Sequence, residues 1–465
     1  MERDNGHTDQ LVEHHQKEVE SEQLSQLALP ISWVKRTFGP LTKGGVRGNI
    51  FLLIITTIGS SFFYLPYAAR QIGLVFTLIL LVTAALLSFF SSLILIKAFE
   101  KTKAPTYNDG VKQLVGPVAG FFTNFVILIH TIGQVSSTWI FSYRFLTSGL
   151  QQLFGWKDDN AILVNFKYGF VPLGFCLIFL ITLLGSAEKL KKVSLAGIAM
   201  IIYILIVFVV ETPEYYGHYK DEIHVETFKL SWYTFKTWGF CNYMFLNQYA
   251  IMPICSGMHK FKPRRAIKIV LRSTVVIVLI YILILFCGYF SLPTNSDVQI
   301  FLLRPPLDKD HDSFIMYGKI IFGCTLFVGV LVKAHFMLMY FEQIIGLFWQ
   351  TFIEKKDSKV ENEQQSTPTE TGSNLLRNIR RVIFLGTLSL AVFFGINFLD
   401  KILGMVGSFV GVFEIIVIPA LVMLALNRLE NGKLMGFAGT SAFLFLCVFF
   451  TVFGFSAVAY NVITS

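Results

Sequence analysis

The sequence predicts an all-α polytopic membrane protein with about eleven transmembrane helices. Two observations support this fold class: the apolar composition and the spacing of the apolar runs. Of the 465 residues, 54% are hydrophobic, 47 are Phe and only 15% are charged, and the mean hydropathy is +0.60. A soluble domain of this length does not need so much apolar surface. The composition therefore predicts a chain whose main partner is the lipid bilayer.

Apolar stretches long enough to cross the bilayer recur along the chain. A helix needs about 20 mainly apolar residues to span the hydrocarbon core. By that rule we predict eleven spans, at 49–70, 72–96, 118–148, 168–186, 192–210, 234–257, 270–291, 315–349, 381–398, 402–426 and 435–460. The third and eighth are long enough to tilt or to extend beyond the bilayer.

The distribution of Lys and Arg predicts the orientation of the spans. With the N-terminus in the cytosol, the inner loops carry 21 of these cations and the outer loops carry 8. Cytosolic loops are enriched in Lys and Arg, so the N-terminus is expected inside and, with an odd number of spans, the C-terminus outside. The net charge of +9 is thus assigned to membrane orientation. No nucleic-acid partner is expected, because no basic stripe is interleaved with aromatic residues.

Two polar segments are predicted to lie outside the packed domain. Residues 1–43 are expected to form a disordered cytosolic tail, and 44–465 the transmembrane domain, with a disordered cytosolic loop at 354–377. The polar N-terminus predicts that the first span acts as an uncleaved signal. The membrane address stays open between the plasma membrane and a vacuolar or endolysosomal membrane.

The cysteines give no indication of a metal or a cofactor. All six lie within or beside apolar stretches, without CxxC pairs or neighbouring histidines. Neither a disulfide framework nor a zinc site is predicted from this pattern. No cofactor is expected.

The first span contains a break in its helical pattern, in TTIGSSFFYLPYA at 56–68. Gly59, Ser60 and Ser61 favour unwinding, and Pro66 removes a backbone donor. Freed N–H groups at mid-membrane survive only when they are buried in protein or line a wet cavity, and the N-terminus of a half-helix there attracts a carboxylate. A plain proline kink is the alternative for this segment taken alone.

The sixth span contains a second polar break before a proline, in FLNQYAIMPICSG at 245–257. An offset of 187 aligns Pro66 with Pro253 and places the serines of the first break against Asn247 and Gln248. Two interrupted helices would then begin the two halves of the chain. This arrangement is typical of inverted repeats whose binding site lies between the repeats.

These segments resemble a known family, the amino acid/auxin permeases. The resemblance is carried by GNIFLLIITTIGSSFFYLPYAARQIG at 48–73, by FLNQYAIMPICSGMHKFKPRRAIK at 245–268, and by the spaced glycines before a proline in GMVGSFVGVFEIIVIPALVML at 404–424. It implies a LeuT-like 5+5 inverted repeat with one extra helix, and amino acid substrates. The implied substrate site has the carboxylate at the first break and the amino group or side chain at the sixth; its residues are Thr57, Gly59, Ser60, Ser61, Asn247 and Gln248.

Three positions depart from the family pattern. Gln248 stands where many members have His, and Ile55 where sodium-coupled members have Asn. Matching LVKAHFMLMYFEQ at 331–343 to the eighth span of the family places Lys333 where sodium-coupled members have a Thr ligand. Since an ammonium would fill the cation position, the resemblance implies transport without sodium.

Lys333 is also a site candidate on physical grounds alone. A Lys at the centre of a membrane helix costs about 2.5–3.5 kcal/mol and usually faces a cavity or a partner. The amine either carries a proton or stays charged in place of sodium. Snorkelling toward an interface is less consistent with its mid-span position.

Three further polar residues in the spans are candidates for coupling. His130 and Gln134 lie four residues apart on one face of the third span, and His titrates near neutral pH. An ordinary interhelical hydrogen bond is the alternative. Glu414 in the tenth span is expected to pair with a cation such as Lys333.

The preferred function is alternating-access transport of an amino acid, either coupled to protons or facilitative. An enzyme is not expected, because HExxH and Gly-x-Ser-x-Gly motifs are absent from the sequence. A channel is not favoured either, since no repeated filter motif occurs. A non-transporting amino acid receptor on the same fold remains the alternative, because sequence does not distinguish binding from movement.

Overall fold

The structure is a computed structural model, and it describes residues 45–59, 61–156, 160–183, 190–296, 298, 301–304, 307, 313–349, 370–395, 406–432 and 437–463. The predicted tail, residues 1–43, lies outside these ranges. So do Ser60 and residues 354–369 of the predicted loop. All statements below concern the described residues.

Helices account for nearly all of the described chain. In the first half they are α1 (Val46–Thr57), α2 (Leu65–Ile72), α3 (Leu74–Thr102), α4 (Tyr107–Leu114), α5 (Pro117–Phe154), α6 (Ala161–Leu183) and α7 (Leu190–Tyr219). In the second half they are α8 (Tyr233–Met244), α9 (Gln248–Ser256), α10 (Pro263–Tyr289), α11 (Ser313–Trp349), α12 (Glu370–Gly395), α13 (Ile418–Leu429) and α14 (Phe437–Ile463). Short 3₁₀ turns occur at Ser61–Tyr64 and Phe301–Leu303.

Seven of the described helices are long and apolar enough to cross a membrane, and the bent pair α1 and α2 would be an eighth. Each of the eleven predicted spans coincides, in its described part, with a helix or with a broken pair of helices. The first span is broken between α1 and α2, and the sixth between α8 and α9. We call the side of the α5 N-terminus inner and that of its C-terminus outer, following the predicted topology.

Polar side chains lie inside the bundle and large apolar ones outside it. Lys333, Glu414 and His130 are each at most 1% exposed, whereas Val118 is 82% and Leu279 60% exposed. Apolar side chains are stable against lipid, and ionisable groups in a membrane face the interior of the bundle. This distribution is the one expected for helices surrounded by a bilayer.

Helices α5 and α11 pack against each other closely because glycines lie at their interface. A Cβ atom at Gly149 would lie 2.6 Å from Ile320, and one at Gly323 would lie 2.7 Å from Leu146. Small residues let membrane helices approach at backbone distance. The contact fixes α5, which carries His130, against α11, which carries Lys333.

The predicted tenth span is not a uniform α-helix. In the segment Val406–Leu429, which we call the tenth segment, the turn Val412–Val417 is a π-helix and is followed by α13. Pro419 lies in the first turn of α13, where it has no N–H to give to the preceding turn. The widened π turn carries Glu414, and π-bulges are frequent at functional sites.

The predicted loop at 354–377 is too long at its C-terminal end. Helix α12 begins at Glu370, so the last eight residues of that range are helical. An acidic residue in the first turn interacts favourably with the helix dipole, which favours a helix start at Glu370. The prediction missed the start of α12 because it searched for apolar stretches, and the sequence TETGSN is polar.

Candidate functional site

The breaks of the first and sixth spans share the same register in the two halves of the chain. Helix α1 ends at Thr57 and α8 at Met244, which are separated by the offset of 187 that aligns Pro66 with Pro253. Pro66 lies at the start of α2, a position suited to proline. Pro253 instead lies inside α9. The 3₁₀ turn Ser61–Tyr64 aligns with the first turn of α9.

A direct hydrogen bond joins the two breaks. The Nδ2 of Asn247 donates to Thr57 Oγ1 over 3.1 Å, and the Thr57 hydroxyl donates to Leu53 O over 2.6 Å. Because that hydroxyl must accept from Asn247, the amide is oriented with Oδ1 turned away. This Oδ1 is buried and has no hydrogen-bond partner among the described residues. The contact between Asn247 and Thr57 therefore leaves Asn247 Oδ1 available as a hydrogen-bond acceptor between the two breaks.

Gln248 holds the sixth break together. Its Oε1 accepts the backbone N–H of Asn247 over 3.0 Å, and its Nε2 donates to Ser88 Oγ over 3.0 Å. Ser88, on α3, in turn donates to Phe245 O over 2.8 Å. Both polar atoms of the Gln248 side chain thus have protein partners, whereas the Oδ1 atom of Asn247 has none among the described residues.

Lys333 lies against the first break. Its Nζ donates to Thr138 Oγ1 over 3.1 Å and lies 3.7 Å from the position of a Cβ at Gly59. Gly59 follows the C-terminal end of α1, where the helix dipole favours a cation. Ser61 is buried in the 3₁₀ turn beyond the gap, and Ser60 lies outside the described residues.

The predicted ion pair between Glu414 and Lys333 is wrong. Glu414 Oε2 lies 2.7 Å from His130 Nδ1, and both side chains are fully buried. His130 and Thr138, the partner of Lys333, are eight residues apart on α5, a rise of about 12 Å. The two ionisable groups therefore occupy different levels of the bundle.

Gln134 connects the level of His130 to the first break. Its Nε2 donates to Thr56 O over 3.3 Å, and its Oε1 accepts the Tyr249 hydroxyl over 2.9 Å. The ring centroid of Tyr249 lies 5.1 Å from that of His130. The predicted shared face of His130 and Gln134 on α5 is thus the face turned toward α9.

Sequence reasoning missed several residues that hold the breaks. Tyr249 and Tyr340 are fully buried, and the Tyr340 hydroxyl donates to Tyr249 O over 2.8 Å. On the other half-helix, the Tyr281 hydroxyl donates to Met244 O over 3.1 Å. Tyr in an apolar span gives no signal of its own, because the same residue is common at membrane interfaces.

Aromatic rings cover the first break on its outer side. Phe63 packs edge-on against Phe322 at 5.2 Å and against Phe145 at 5.6 Å between ring centroids. Tyr64 stacks on Phe240 of α8 at 5.2 Å. Since all of these rings are buried, the outer side of the site is closed in this structure.

The arrangement defines the class of protein. Two broken helices that meet at a buried polar site within a polytopic bundle are the architecture of secondary transporters built from repeats. Residues 42–464 match the sequence profile of the family described as transmembrane amino acid transporter protein, and the chain belongs to this family. The resemblance to amino acid/auxin permeases is thereby confirmed.

Curated relatives are distant in sequence. The chain is 22% identical over 461 residues to AAT1 of Plasmodium berghei, named as a candidate amino acid transporter, which covers 91% of this chain and 71% of that protein. Vacuolar amino acid transporter 4 of Saccharomyces cerevisiae is 22% identical over 424 residues, covering 85% of this chain and 55% of that protein. This chain therefore corresponds to only part of the length of either relative.

Solved structures support the fold. A Na⁺-coupled sialic acid symporter in its substrate-bound outward-open state superposes with a TM-score of 0.55 at 14% identity, over 95% of this chain and 92% of that one. MhsT in complex with L-phenylalanine superposes with a TM-score of 0.51 at 13% identity, over 90% and 100%. The fold is therefore the predicted LeuT-like polytopic membrane fold.

Proposed function

We propose that this chain moves amino acids across a membrane by alternating access around the breaks of the first and sixth spans. The observation that carries this proposal is the contact between Asn247 and Thr57, which brings the two breaks to one buried point. The family and the fold neighbours support the same function. The chemistry also fits, because a substrate with a carboxylate and an ammonium needs a donor site and an acceptor within one small space.

Each end of the amino acid has a suitable partner. The substrate carboxylate lies at the first break, next to the freed backbone around Gly59 and Ser61 and the ammonium of Lys333. The substrate ammonium donates to Asn247 Oδ1, the buried acceptor that has no protein partner among the described residues. A hydrogen bond to a charged group contributes about 1.5–3 kcal/mol, enough to position the substrate.

Sodium is not required in this proposal. The Nζ of Lys333 lies beside the C-terminal end of α1, and half-helix C-termini are where broken-helix transporters hold their coupling cation. A fixed ammonium there supplies the positive charge that sodium would supply. Neutral amino acids are favoured over cationic ones, because Lys333 is the charged side chain that the described residues place at the first break.

Counterflow tests the transport proposal without any ion gradient. The purified protein is reconstituted into liposomes loaded with unlabelled amino acids, and entry of each labelled amino acid is measured. We expect exchange of neutral amino acids that requires the protein. Binding without exchange would contradict transport and support a receptor; exchange of none of them, with a protein that still melts cooperatively, would also overturn the proposal.

The variant Lys333→Thr tests whether the ammonium of Lys333 takes the place of a sodium ion. Removing the ammonium leaves the α1 end without its charge, so we expect sodium-free exchange to fall at least about tenfold and added sodium to restore part of it. The matched control is Lys319→Thr: Lys319 is a buried lysine of the same helix that donates to Gln152 Oε1 over 3.2 Å. Equal losses in both variants would contradict the proposed role.

A further inference from the structure

The inner end of α10 carries a group of exposed cations. We call this group the basic face, and its members are Arg264, Arg265, Lys268 and Arg272. None of them has an ion pair or a side-chain hydrogen bond among the described residues. By contrast, Lys97 and Lys101 of α3 lie 3.7 Å and 3.1 Å from carboxylate oxygens of Glu430. The basic face therefore carries positive charge that the described part of the protein does not neutralise.

The basic face lies on the side of α10 that is turned toward lipid. Lys268, Arg272, Val275 and Leu279 follow one another at spacings of four, three and four residues, and residues at these spacings share one side of a helix. Val275 is 48% and Leu279 60% exposed. Apolar side chains exposed on a membrane helix contact lipid tails. The cations, which lie nearer the inner end of the same side, are therefore at the level of the lipid headgroups.

The opposite side of α10 packs inside the bundle and fixes the rotation of the helix. Ala266, Ser273 and Ile277 are buried, and Ser273 Oγ donates to Ile50 O of α1 over 3.4 Å. The N-terminus of α10 has no side-chain cap, so the positive end of the helix dipole adds to the charge of the basic face.

The charge of the basic face is complementary to a headgroup that carries several phosphates. Arg264 and Arg272 are eight residues apart, a rise of about 12 Å. A headgroup with two or more phosphates contacts several cations of this surface at once, whereas a headgroup with one phosphate contacts fewer. Arg binds phosphate oxygens through two parallel hydrogen bonds, and Lys binds them as a point charge.

We propose that the basic face binds a multiply phosphorylated lipid of the inner leaflet, whose acyl chains lie along Val275 and Leu279. A cluster of about four to eight cations next to the cytosolic end of a membrane helix is typical of sites for such lipids. The excess of Lys and Arg on inner loops accounts for cations at this end of α10, but not for their alignment with lipid-facing side chains. This inference goes beyond the proposed function and does not depend on it.

The lipid site lies beside both inner half-helices of the broken spans. Helix α10 contacts α1 at Ile50 and follows α9 after the short connection 257–262. In that connection, Phe261 packs on Phe99 of α3 at 4.7 Å between ring centroids, and Lys103 Nζ lies 4.9 Å from the centroid of the Phe261 ring. A lipid bound to the basic face thus holds the inner end of α10 next to α1 and α9.

Lipid binding to the purified full-length protein tests the inference. The protein in a neutral detergent is titrated with phosphatidylinositol bisphosphate or with phosphatidylserine, and the bound fraction is measured by native mass spectrometry. We expect phosphatidylinositol bisphosphate to bind at least about tenfold more tightly. This preference should be lost in the basic-face variant, which combines Arg264→Gln, Arg265→Gln, Lys268→Gln and Arg272→Gln.

A matched control removes the same number of cations from the inner ends of other helices. It combines Lys97→Gln, Lys101→Gln, Lys112→Gln and Arg428→Gln, and it should bind phosphatidylinositol bisphosphate within about twofold of wild type, because the basic face is intact. An equal loss in the control and in the basic-face variant would reduce the effect to net charge and overturn the site.

Photocrosslinking of the wild-type protein locates the lipid and does not depend on how well a variant folds. Phosphatidylinositol bisphosphate with a photoreactive group in its acyl chain should label α10 at 271–279. Labelling of other helices without α10 would overturn the site. Soluble inositol trisphosphate should compete only weakly, since it has no acyl chains; competition as strong as that of the lipid itself would contradict a membrane source.

Counterflow separates this inference from the proposed function. In phosphatidylcholine liposomes the basic-face variant should exchange amino acids as wild type does, which shows that it is folded. Failure of wild-type counterflow would contradict the proposed function and leave the lipid site to be decided by the binding and labelling measurements, neither of which requires transport. Equal binding of the two lipids by wild type would overturn the lipid site and leave amino acid transport intact.

Discussion

At the scale of single residues, the site depends on which polar atoms are already satisfied. Gln248 and Asn247 are adjacent and both buried, but of these two only Asn247 keeps a buried oxygen without a hydrogen-bond partner in the described residues. An unsatisfied buried oxygen costs free energy unless a ligand pairs with it. The Oδ1 atom of Asn247, between the two helix breaks, can therefore accept a hydrogen bond from a ligand. The ammonium of an amino acid is a strong hydrogen-bond donor.

Asn247→Ala is expected to weaken substrate binding. It removes the acceptor proposed for the substrate ammonium, and the loss of about 1.5–3 kcal/mol corresponds to a rise in the substrate Kd of roughly 10- to 150-fold. Binding of a labelled neutral amino acid to purified protein measures it. Asn242→Ala is the matched control, since Asn242 is an equally buried asparagine that packs on Gly411. A similar loss in both variants would argue against the assignment.

Sequence reasoning placed the residues of this site better than their partners. The resemblance to the family put Lys333 near the cation position at the first break, and helix spacing put His130 and Gln134 on one face of α5. The partner of Glu414 could not be predicted from the sequence. Lys333 and His130 were both available as cations, and the rotation of each helix about its axis decides which of them faces Glu414. Side-chain packing sets the rotation of each helix, and this packing cannot be derived from a single sequence.

At the scale of elements, the two broken spans are held by close helix contacts as well as by hydrogen bonds. Pro66 of α2 lies directly against Gly288 of α10: a Cβ at Gly288 would lie 2.2 Å from Pro66 Cγ. The proline ring is rigid, so the contact cannot relax by a rotamer change. The absence of a side chain at Gly288 is what lets the outer half of the first span seat on α10.

Gly288→Ala should therefore destabilise the fold locally. Overpacking of a filled interface costs about 1–3 kcal/mol, so we expect the melting temperature of the purified protein to fall by a few degrees. Gly386→Ala is the control, because Gly386 lies in α12 with open space around it and Ala has the higher helix propensity. No difference between the two variants would show that α2 does not depend on this contact.

The order of the elements was predictable, but their irregularities were only partly so. Gly and Pro marked the break of the first span, and polar residues followed by Pro253, in register with Pro66, marked the break of the sixth. The π turn Val412–Val417 was not predicted, since it depends on how the backbone accommodates Pro419 within its neighbours. The start of α12 at Glu370 was missed because polar residues carry no apolar period.

At the scale of the whole molecule, the cation distribution predicts which side each loop faces. The loop before α8 contains the exposed Lys229, and the start of α10 contains the exposed Arg264. By the excess of Lys and Arg on inner loops, Lys229 is expected outside and Arg264 in the cytosol. The inner and outer sides named above depend on this orientation.

Thiol labelling tests the orientation. In a background with the six native cysteines replaced, Lys229→Cys should react with a membrane-impermeant reagent in sealed outside-out vesicles. Arg264→Cys should react only after the vesicles are permeabilised. The reverse pattern would invert the topology and place the N-terminus outside.

The most direct test of sodium-independent amino acid transport is concentrative uptake by wild-type protein in liposomes. Uptake of a labelled neutral amino acid is followed with an imposed sodium gradient, with an imposed proton gradient and with neither. The account predicts that a sodium gradient adds nothing to uptake, because the proposed role of the Lys333 ammonium is to supply the positive charge at the end of α1. Accumulation that requires the sodium gradient would contradict it.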